Sequence, residues 1–278
     1  MKHTTGGAAD EAPTAIAQST SDRGNRMPHV AQSGARSLAE RRFFAAMTIA
    51  LMAAMVLGFA RTFILKPWFP EVQHLAAPEP YFLFHGLAFA AWFALLIVQA
   101  ILVSTGNVRL HRQLGKLGAG LAVVMVLLGV LGALIAAARP TGFVGVTVPP
   151  LVFLVIPLMD MALFAIFVSL AIANRADPQS HKRCMLLASI AVIEAAVARW
   201  PLEFIMSAPS PIPGLGMTEL LTCLFLVPIV AWDLTSRGRL HAVTLWGGLA
   251  LIAAMWLRMP LASTDAWQAF ARWAVGLV

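Results

Sequence analysis

Three of the seven histidines occupy the same kind of position, each opening a long apolar run behind a short basic loop. They are His111 in NVRLHRQLG, His181 in DPQSHKRCM and His241 in SRGRLHAVT. Because each run follows a basic hairpin, we expect the three imidazoles to line one face of a membrane. Imidazole is the commonest side-chain ligand of protein-bound metals and also holds the iron of many haems. The pattern indicates a ligand site without identifying an activity.

Two interpretations of these histidines stay open. In the first, each is an interfacial residue near lipid headgroups, flanked by Arg or Lys as cytoplasmic helix ends ordinarily are. In the second, His111 and His181 bind a cofactor from facing helices. A divalent metal would need carboxylates beside the imidazoles, and only Asp177 and Asp233 are near. Because haem b needs only two neutral imidazoles, it fits the pattern better than a free metal ion.

A haem between His111 and His181 also needs a slot wide enough for the macrocycle. The small residues Gly115 and Gly118, close to His111, and Ala188, beyond His181, could leave such a slot. The same glycines serve close helix packing in lipid equally well.

A second group of candidate residues is ionisable and lies within the apolar runs: Asp160, Glu194, Arg199 and Glu203. Such side chains are expensive in lipid and usually face the interior of a helical bundle. Arg199 and Glu203 are four residues apart on one helix face and can pair. Asp160 and Glu194 need partners from other helices, and we expect Arg199 to contact a carboxylate. The group is either a charge-paired network that fixes helix register or a substrate or proton site that opens outward.

The elements that must position these residues are apolar runs, since 59% of the 278 residues are hydrophobic and only 12% are charged. A membrane span needs about 20 such residues to cross roughly 30 Å of hydrocarbon. Seven runs qualify, at residues 43–65, 81–105, 115–138, 150–174, 184–206, 217–234 and 240–258. The sequence therefore predicts an all-α bundle of seven transmembrane helices over residues 41–258. Residues 1–40 are predicted to be a disordered cytoplasmic tail, and residues 259–278 a short amphipathic segment at the interface.

The basic residues indicate the orientation of these spans. The net charge of +7 would suggest nucleic acid in a soluble chain. Here eleven Lys and Arg residues fall on one side of the seven-span arrangement, against four on the other: Lys66, Arg139, Arg258 and Arg272. This positive-inside bias places the N-terminus in the cytoplasm and the C-terminus outside. The expected partner is the lipid bilayer of an inner (plasma) membrane rather than nucleic acid.

Several kinds of chemistry lack any support in the sequence. The two cysteines, Cys184 and Cys223, lie at different depths, and neither a CxxC motif nor zinc-type spacing is present. No Gly-rich phosphate loop, nucleophile elbow or HExxH motif occurs. We therefore assign no metal and no catalytic residue. The loops alternate between Pro-rich and short basic types, which indicates a weak threefold repeat of helical hairpins.

The segment FHGLAFAAWFALLIVQAILVSTGNVRLHRQLGKLG, with HKRCMLLA and ARWP further on, resembles a widespread family of bacterial multi-span membrane proteins. That resemblance covers residues ~40–205 and implies class and topology only. A looser similarity is to diheme cytochromes b of the ascorbate and ferric-reductase type. There the histidines that match His85, His111 and His181 bind haem. An outer haem would need a second histidine beside His85, so the comparison implies at most one inner haem, between His111 and His181.

Three functions follow from these observations. The first is a haem b- or quinone-associated redox or binding protein that uses His111 and His181. The second is a small-solute or proton-coupled transporter that uses Asp160, Glu194 and Arg199. The third is a membrane assembly factor without a site of its own.

Overall fold

A computed structural model describes residues 38–69, 79–143 and 145–278, with the side chains of Glu203 and Met206 excepted. The predicted disordered tail lies almost entirely outside the described residues. The chain divides into two compact units, residues 1–44 and residues 45–278. Of the first unit, only the beginning of a helix is described.

Every regular element in the described residues is helical, which confirms the all-α prediction. Six helices are long and apolar enough to cross a membrane: α1 (Leu38–Ile64), α2 (Pro80–Ser104), α3 (Val108–Ala138), α4 (Pro150–Ala173), α6 (Met217–Arg237) and α7 (Val243–Ala262). By their length and apolar composition, these helices identify the chain as a multi-pass membrane protein. The predicted span at 184–206 corresponds to α5 (Pro178–Val197), which is not among the six because its first turns are polar.

Local sequence explains where the helices begin. Pro80, Pro150 and Pro178 each occupy the first turn of a helix, where a missing N–H costs nothing. The side chain of Asn107 accepts the backbone N–H of Leu110 at 3.2 Å and so caps α3. Asp177 caps α5 in the same way, since its carboxylate accepts the N–H of Gln179 at 2.9 Å. Burial is slight at Asp177, and the Ser180 hydroxyl and backbone donors hold its pKa below the usual value.

Helix α5 is the most deeply buried element of the second unit. Most of its residues from Arg183 to Val197 are shielded from solvent, and α4, α6 and α7 pack around it. From α2, the Trp92 indole N–H donates to the Ser189 hydroxyl at 3.1 Å. From α1, Gly58 lies so close that a Cβ there would stand 2.1 Å from the Ala196 carbonyl oxygen. The most polar long helix of the unit is therefore covered by protein.

The C-terminal segment contains a separate short helix, α8 (Asp265–Val275). Thr264 caps it by accepting the Trp267 N–H at 3.2 Å. The Trp267 indole donates to the Leu151 carbonyl at 2.8 Å, and Ala271 is buried in a small apolar cluster with Ala133, Ala137 and Leu154. Helix α7 continues past the expected boundary at 258 as far as Ala262.

Candidate functional site

Three charged side chains from three helices meet inside the second unit. Arg258 of α7 binds the Glu194 carboxylate with one guanidinium nitrogen, Nη1, at 2.6 and 2.7 Å. Its other terminal nitrogen, Nη2, donates to the Asp160 carboxylate. Arg258 has no exposed surface, and Asp160 and Glu194 are 7% and 5% exposed. We call these three residues the Arg258 cluster.

The Arg258 cluster has one carboxylate more than it has cations. When both acids are ionised, the three side chains carry a surplus negative charge, which is expensive in a buried site. Glu219, half-buried near the start of α6, adds to that charge because it interacts electrostatically with all three residues. The Arg258 Nε–H is buried and has no hydrogen-bond partner among the described residues. The cluster can therefore take up a proton or a cation. In addition, the Arg258 Nε–H can donate to an acceptor oxygen.

The sequence-predicted members of this cluster are only partly brought together. Asp160 and Glu194 meet through Arg258, whereas Arg199 lies apart from them. Its guanidinium donates to the Ala195 carbonyl of the preceding turn and stands 5.1 Å from the centre of the Phe59 ring. Glu203 begins a single helical turn, Glu203–Met206, and its side chain lies outside the described residues.

Sequence reasoning missed Arg258, which it counted among the cations outside the spans. Arg258 stood at the expected end of the last span, residue 258, but α7 continues through Pro260 to Ala262. One signal could have found it: two intramembrane carboxylates needed a cation, and Arg258 is the last residue of the apolar run at 240–258.

The structure brings His111 and His181 together. Their ring centres lie 6.3 Å apart, with the ring planes at 87°. The His181 Nδ1–H donates to the Ala171 carbonyl at 2.8 Å. With its amide oriented to satisfy its neighbours, Gln99 donates to His111 Nδ1 at 2.7 Å. His181 is therefore arranged as metal-bound histidines usually are, with Nδ1–H donating and Nε2 left as an acceptor. At His111 the Nδ1 accepts instead, so the proton of the neutral ring lies on Nε2 and makes that atom a donor.

The slot expected beside this histidine pair is filled by α2. A Cβ on Gly118 would lie 2.9 Å from a methyl carbon of Leu95, and one on Gly115 would lie 3.7 Å from the Gln99 amide nitrogen. The glycines therefore serve close packing of α3 on α2. A single ion between the two imidazoles would need an unprotonated Nε2 on both rings, and the Gln99 hydrogen bond leaves the His111 proton on that atom. A haem at this position would require Leu95 to move.

His85 is not part of the histidine pair. Its ring stacks on Phe89 with the centres 4.3 Å apart, and its Nδ1 faces the Leu128 carbonyl at 3.4 Å. The Tyr81 hydroxyl donates to the same carbonyl oxygen. These contacts give His85 a packing role between α2 and α3.

His241 differs from the other two loop histidines because it precedes its helix and caps it. The Nδ1 of His241 accepts the backbone N–H of Val243 at 3.1 Å. The backbone N–H of His241 donates to the Asp233 carboxylate at 3.0 Å. Asp233 also accepts the Thr244 hydroxyl at 2.6 Å and pairs with Arg183, and both charged side chains are fully buried. Burial, together with the nearby cation of Arg183, holds the pKa of His241 below its ordinary value. The predicted threefold equivalence thus reduces to two matching residues, His111 and His181.

Comparison with known proteins adds no assignment, since no family model, curated protein or solved structure matches this chain. Within the described residues, no group of three or more His, Cys, Asp or Glu side chains could hold a metal ion. The Arg258 cluster and the histidine pair are therefore the two candidate sites.

Proposed function

We propose that the chain is a seven-span inner-membrane protein with a cytoplasmic N-terminus, and that it binds and moves protons or a proton-coupled small solute at the Arg258 cluster. Helix α5 also crosses the membrane, which brings the number of spans from six to seven. Its 20 residues extend about 30 Å, the thickness of the hydrocarbon layer. Its polar groups are shielded from lipid by α4, α6 and α7, which makes a helix of ordinary polarity tolerable at that depth.

The observation that carries the proposal is that two buried carboxylates share one guanidinium. Neutralising the surplus charge requires a proton or cation, and two acids a few ångströms apart on one cation hold that proton jointly. Glu219, nearer the helix end, gives the cluster a half-buried acidic neighbour through which protons can enter. The Arg258 Nε–H supplies a donor for water or a solute oxygen.

Proton movement can be measured in vesicles that contain the purified protein and a trapped pH-sensitive dye. An imposed pH gradient should collapse faster than in protein-free vesicles, and Glu194→Gln and Asp160→Asn should abolish the difference. Glu79→Gln is the matched control, because Glu79 is an exposed carboxylate that pairs with Arg139 at 2.7 Å. Equal collapse rates in the wild type, the cluster variants and protein-free vesicles would reject the proposal.

An infrared measurement tests the bound proton itself. A protonated carboxylic acid has a carbonyl stretching band that a carboxylate lacks. The wild-type protein at neutral pH should show this band, and it should weaken in Glu194→Gln or Asp160→Asn but not in Glu79→Gln. A wild-type spectrum without the band would mean that the cluster holds no proton.

The histidine pair supports a second candidate function, the binding of haem b or a quinone headgroup. The supporting observation is the 6.3 Å ring separation, with Nε2 an acceptor on His181 and a donor on His111. Protein expressed with ample haem should show a Soret band that is lost in His111→Ala and His181→Ala and kept in His85→Ala. If neither site binds a ligand, the role of a membrane assembly factor is the remaining proposal.

A further inference from the structure

The beginning of α3 carries an exposed cationic face. Arg109, Arg112 and Lys116 lie three and four residues apart, so they share one side of the helix. With Val108 and Gln113 they line an open cavity of about 420 Å³. Within the described part of the chain, none of the three cations makes a hydrogen bond or ion pair. This surface, which we call the α3 basic face, therefore offers three uncompensated positive charges.

The same side of α3 becomes apolar and stays exposed further along the helix. Gly120 follows Lys116 by one turn, and a Cβ there would meet no atom within 4 Å. Val123 and Leu127 come next at helical spacing and are 59% and 64% exposed. An exposed face with a charged end and an apolar continuation thus runs down one side of the helix.

The length of α3 places this change of character at the membrane boundary. Its 31 residues extend about 46 Å, whereas the hydrocarbon layer is roughly 30 Å thick. Some ten residues must therefore lie in the headgroup regions, and the basic residues are the ones suited to them. This exposed face then begins among lipid headgroups and continues beside acyl chains.

We propose that the α3 basic face binds one anionic phospholipid, with its phosphate on Arg109, Arg112 and Lys116 and an acyl chain along Gly120, Val123 and Leu127. Guanidinium groups bind phosphate oxygens with two parallel hydrogen bonds, and Lys116 adds a point charge. A zwitterionic lipid is a weaker ligand because its ammonium group is repelled by the same three cations. The site is independent of the Arg258 cluster.

Native mass spectrometry of the full chain in detergent tests the headgroup contact. Titration with phosphatidylglycerol should give one tightly retained lipid, and phosphatidylcholine should give none. The double variant Arg112→Gln, Lys116→Gln should weaken the retention of phosphatidylglycerol about tenfold or more, because each cation near a phosphate strengthens the binding of the lipid. The control is Arg175→Gln with Arg239→Gln, which removes the same charge from exposed positions in other loops. Equal retention of both lipids by the wild type, or an equal loss in the control, would overturn the proposal.

Two further measurements separate a lipid from a free phosphate group. Gly120→Leu adds bulk to the apolar part of this face without changing charge, at a position where a Cβ meets no neighbour, so it should reduce phosphatidylglycerol retention and leave the fold unchanged. Inorganic phosphate should not displace the bound lipid. Displacement by inorganic phosphate together with normal retention in Gly120→Leu would show a plain anion site and reject the lipid.

Discussion

Individual charged residues in this protein are held by partners on other helices, so their removal has consequences beyond their own helix. Arg258 pairs with acids from α4 and α5, and Arg183 pairs with Asp233 of α6. A buried ion pair adds little stability compared with an apolar pair of the same shape, but a buried charge without its partner is severely destabilising.

Arg258→Met should therefore destabilise the protein by about 3–5 kcal/mol, because two carboxylates lose their cation. The triple variant Arg258→Met, Asp160→Asn, Glu194→Gln leaves no charge in the Arg258 cluster and should recover most of that loss. Unfolding in detergent, followed by circular dichroism, measures both. A single variant as stable as the wild type would show that the acids are already neutral without Arg258.

His241 should make stability depend on pH. Its cap requires an unprotonated Nδ1, and its pKa in the folded protein is lowered from the ordinary 6.5. As the pH falls through 6.5, the unfolded chain takes up a proton that the folded chain still rejects, so stability decreases. Above that pH His241 is neutral in both the folded and the unfolded protein, so it no longer makes the stability depend on pH.

The matched variant is His241→Asn, because asparagine can cap the same helix without titrating. Melting temperatures measured from about pH 8 to pH 5 should fall more steeply in the wild type than in this variant. Parallel curves for the two proteins would assign the pH dependence to other groups.

Some residues of the candidate sites were predictable and others were not. Asp160 and Glu194 stand out because an acid within an apolar run needs an internal partner. His111 and His181 share a loop and helix pattern, which placed them at one end of the molecule. Arg258 was not predictable in the same way, because a cation beside a proline resembles an ordinary end of a span.

At the scale of elements, the contact between α1 and α5 depends on a glycine. Gly58→Ala should destabilise the protein by about 1–3 kcal/mol, because its methyl group would overlap the Ala196 carbonyl and force the helices apart. Gly86→Ala is the control on a helix with open space, where alanine should be neutral or favourable by up to about 1 kcal/mol. Equal melting temperatures for the two variants would mean that α1 does not pack closely on α5.

The six apolar helices could be predicted from run length alone, since each run approaches or exceeds the 20 or so residues that a membrane requires. Helix α5 was harder. Its beginning at Pro178 is fixed by the Asp177 cap, ahead of the apolar run that was expected to define it. Burial by neighbouring helices, which one sequence does not reveal, compensates for the polar first turns.

At the scale of the whole molecule, whether α5 crosses the membrane determines on which side every later loop and the C-terminus lie. Reporter fusions should place residues 105–107, 174–177 and 238–242 in the cytoplasm and residue 278 outside. This follows from the seven-span proposal and the positive-inside bias. A cytoplasmic C-terminus would mean that α5 or one of the last two helices does not cross.

The pairing of α5 with later helices has a consequence for biosynthesis. When the ribosome has completed α5, Glu194 and Arg183 still lack their partners, since Asp233 and Arg258 are encoded downstream. A nascent chain released at that stage would leave the translocon with unneutralised charges and should be recognised by membrane proteases. The last two helices therefore supply the charges that complete the interior, and we expect chains truncated before residue 258 to be degraded rather than to accumulate.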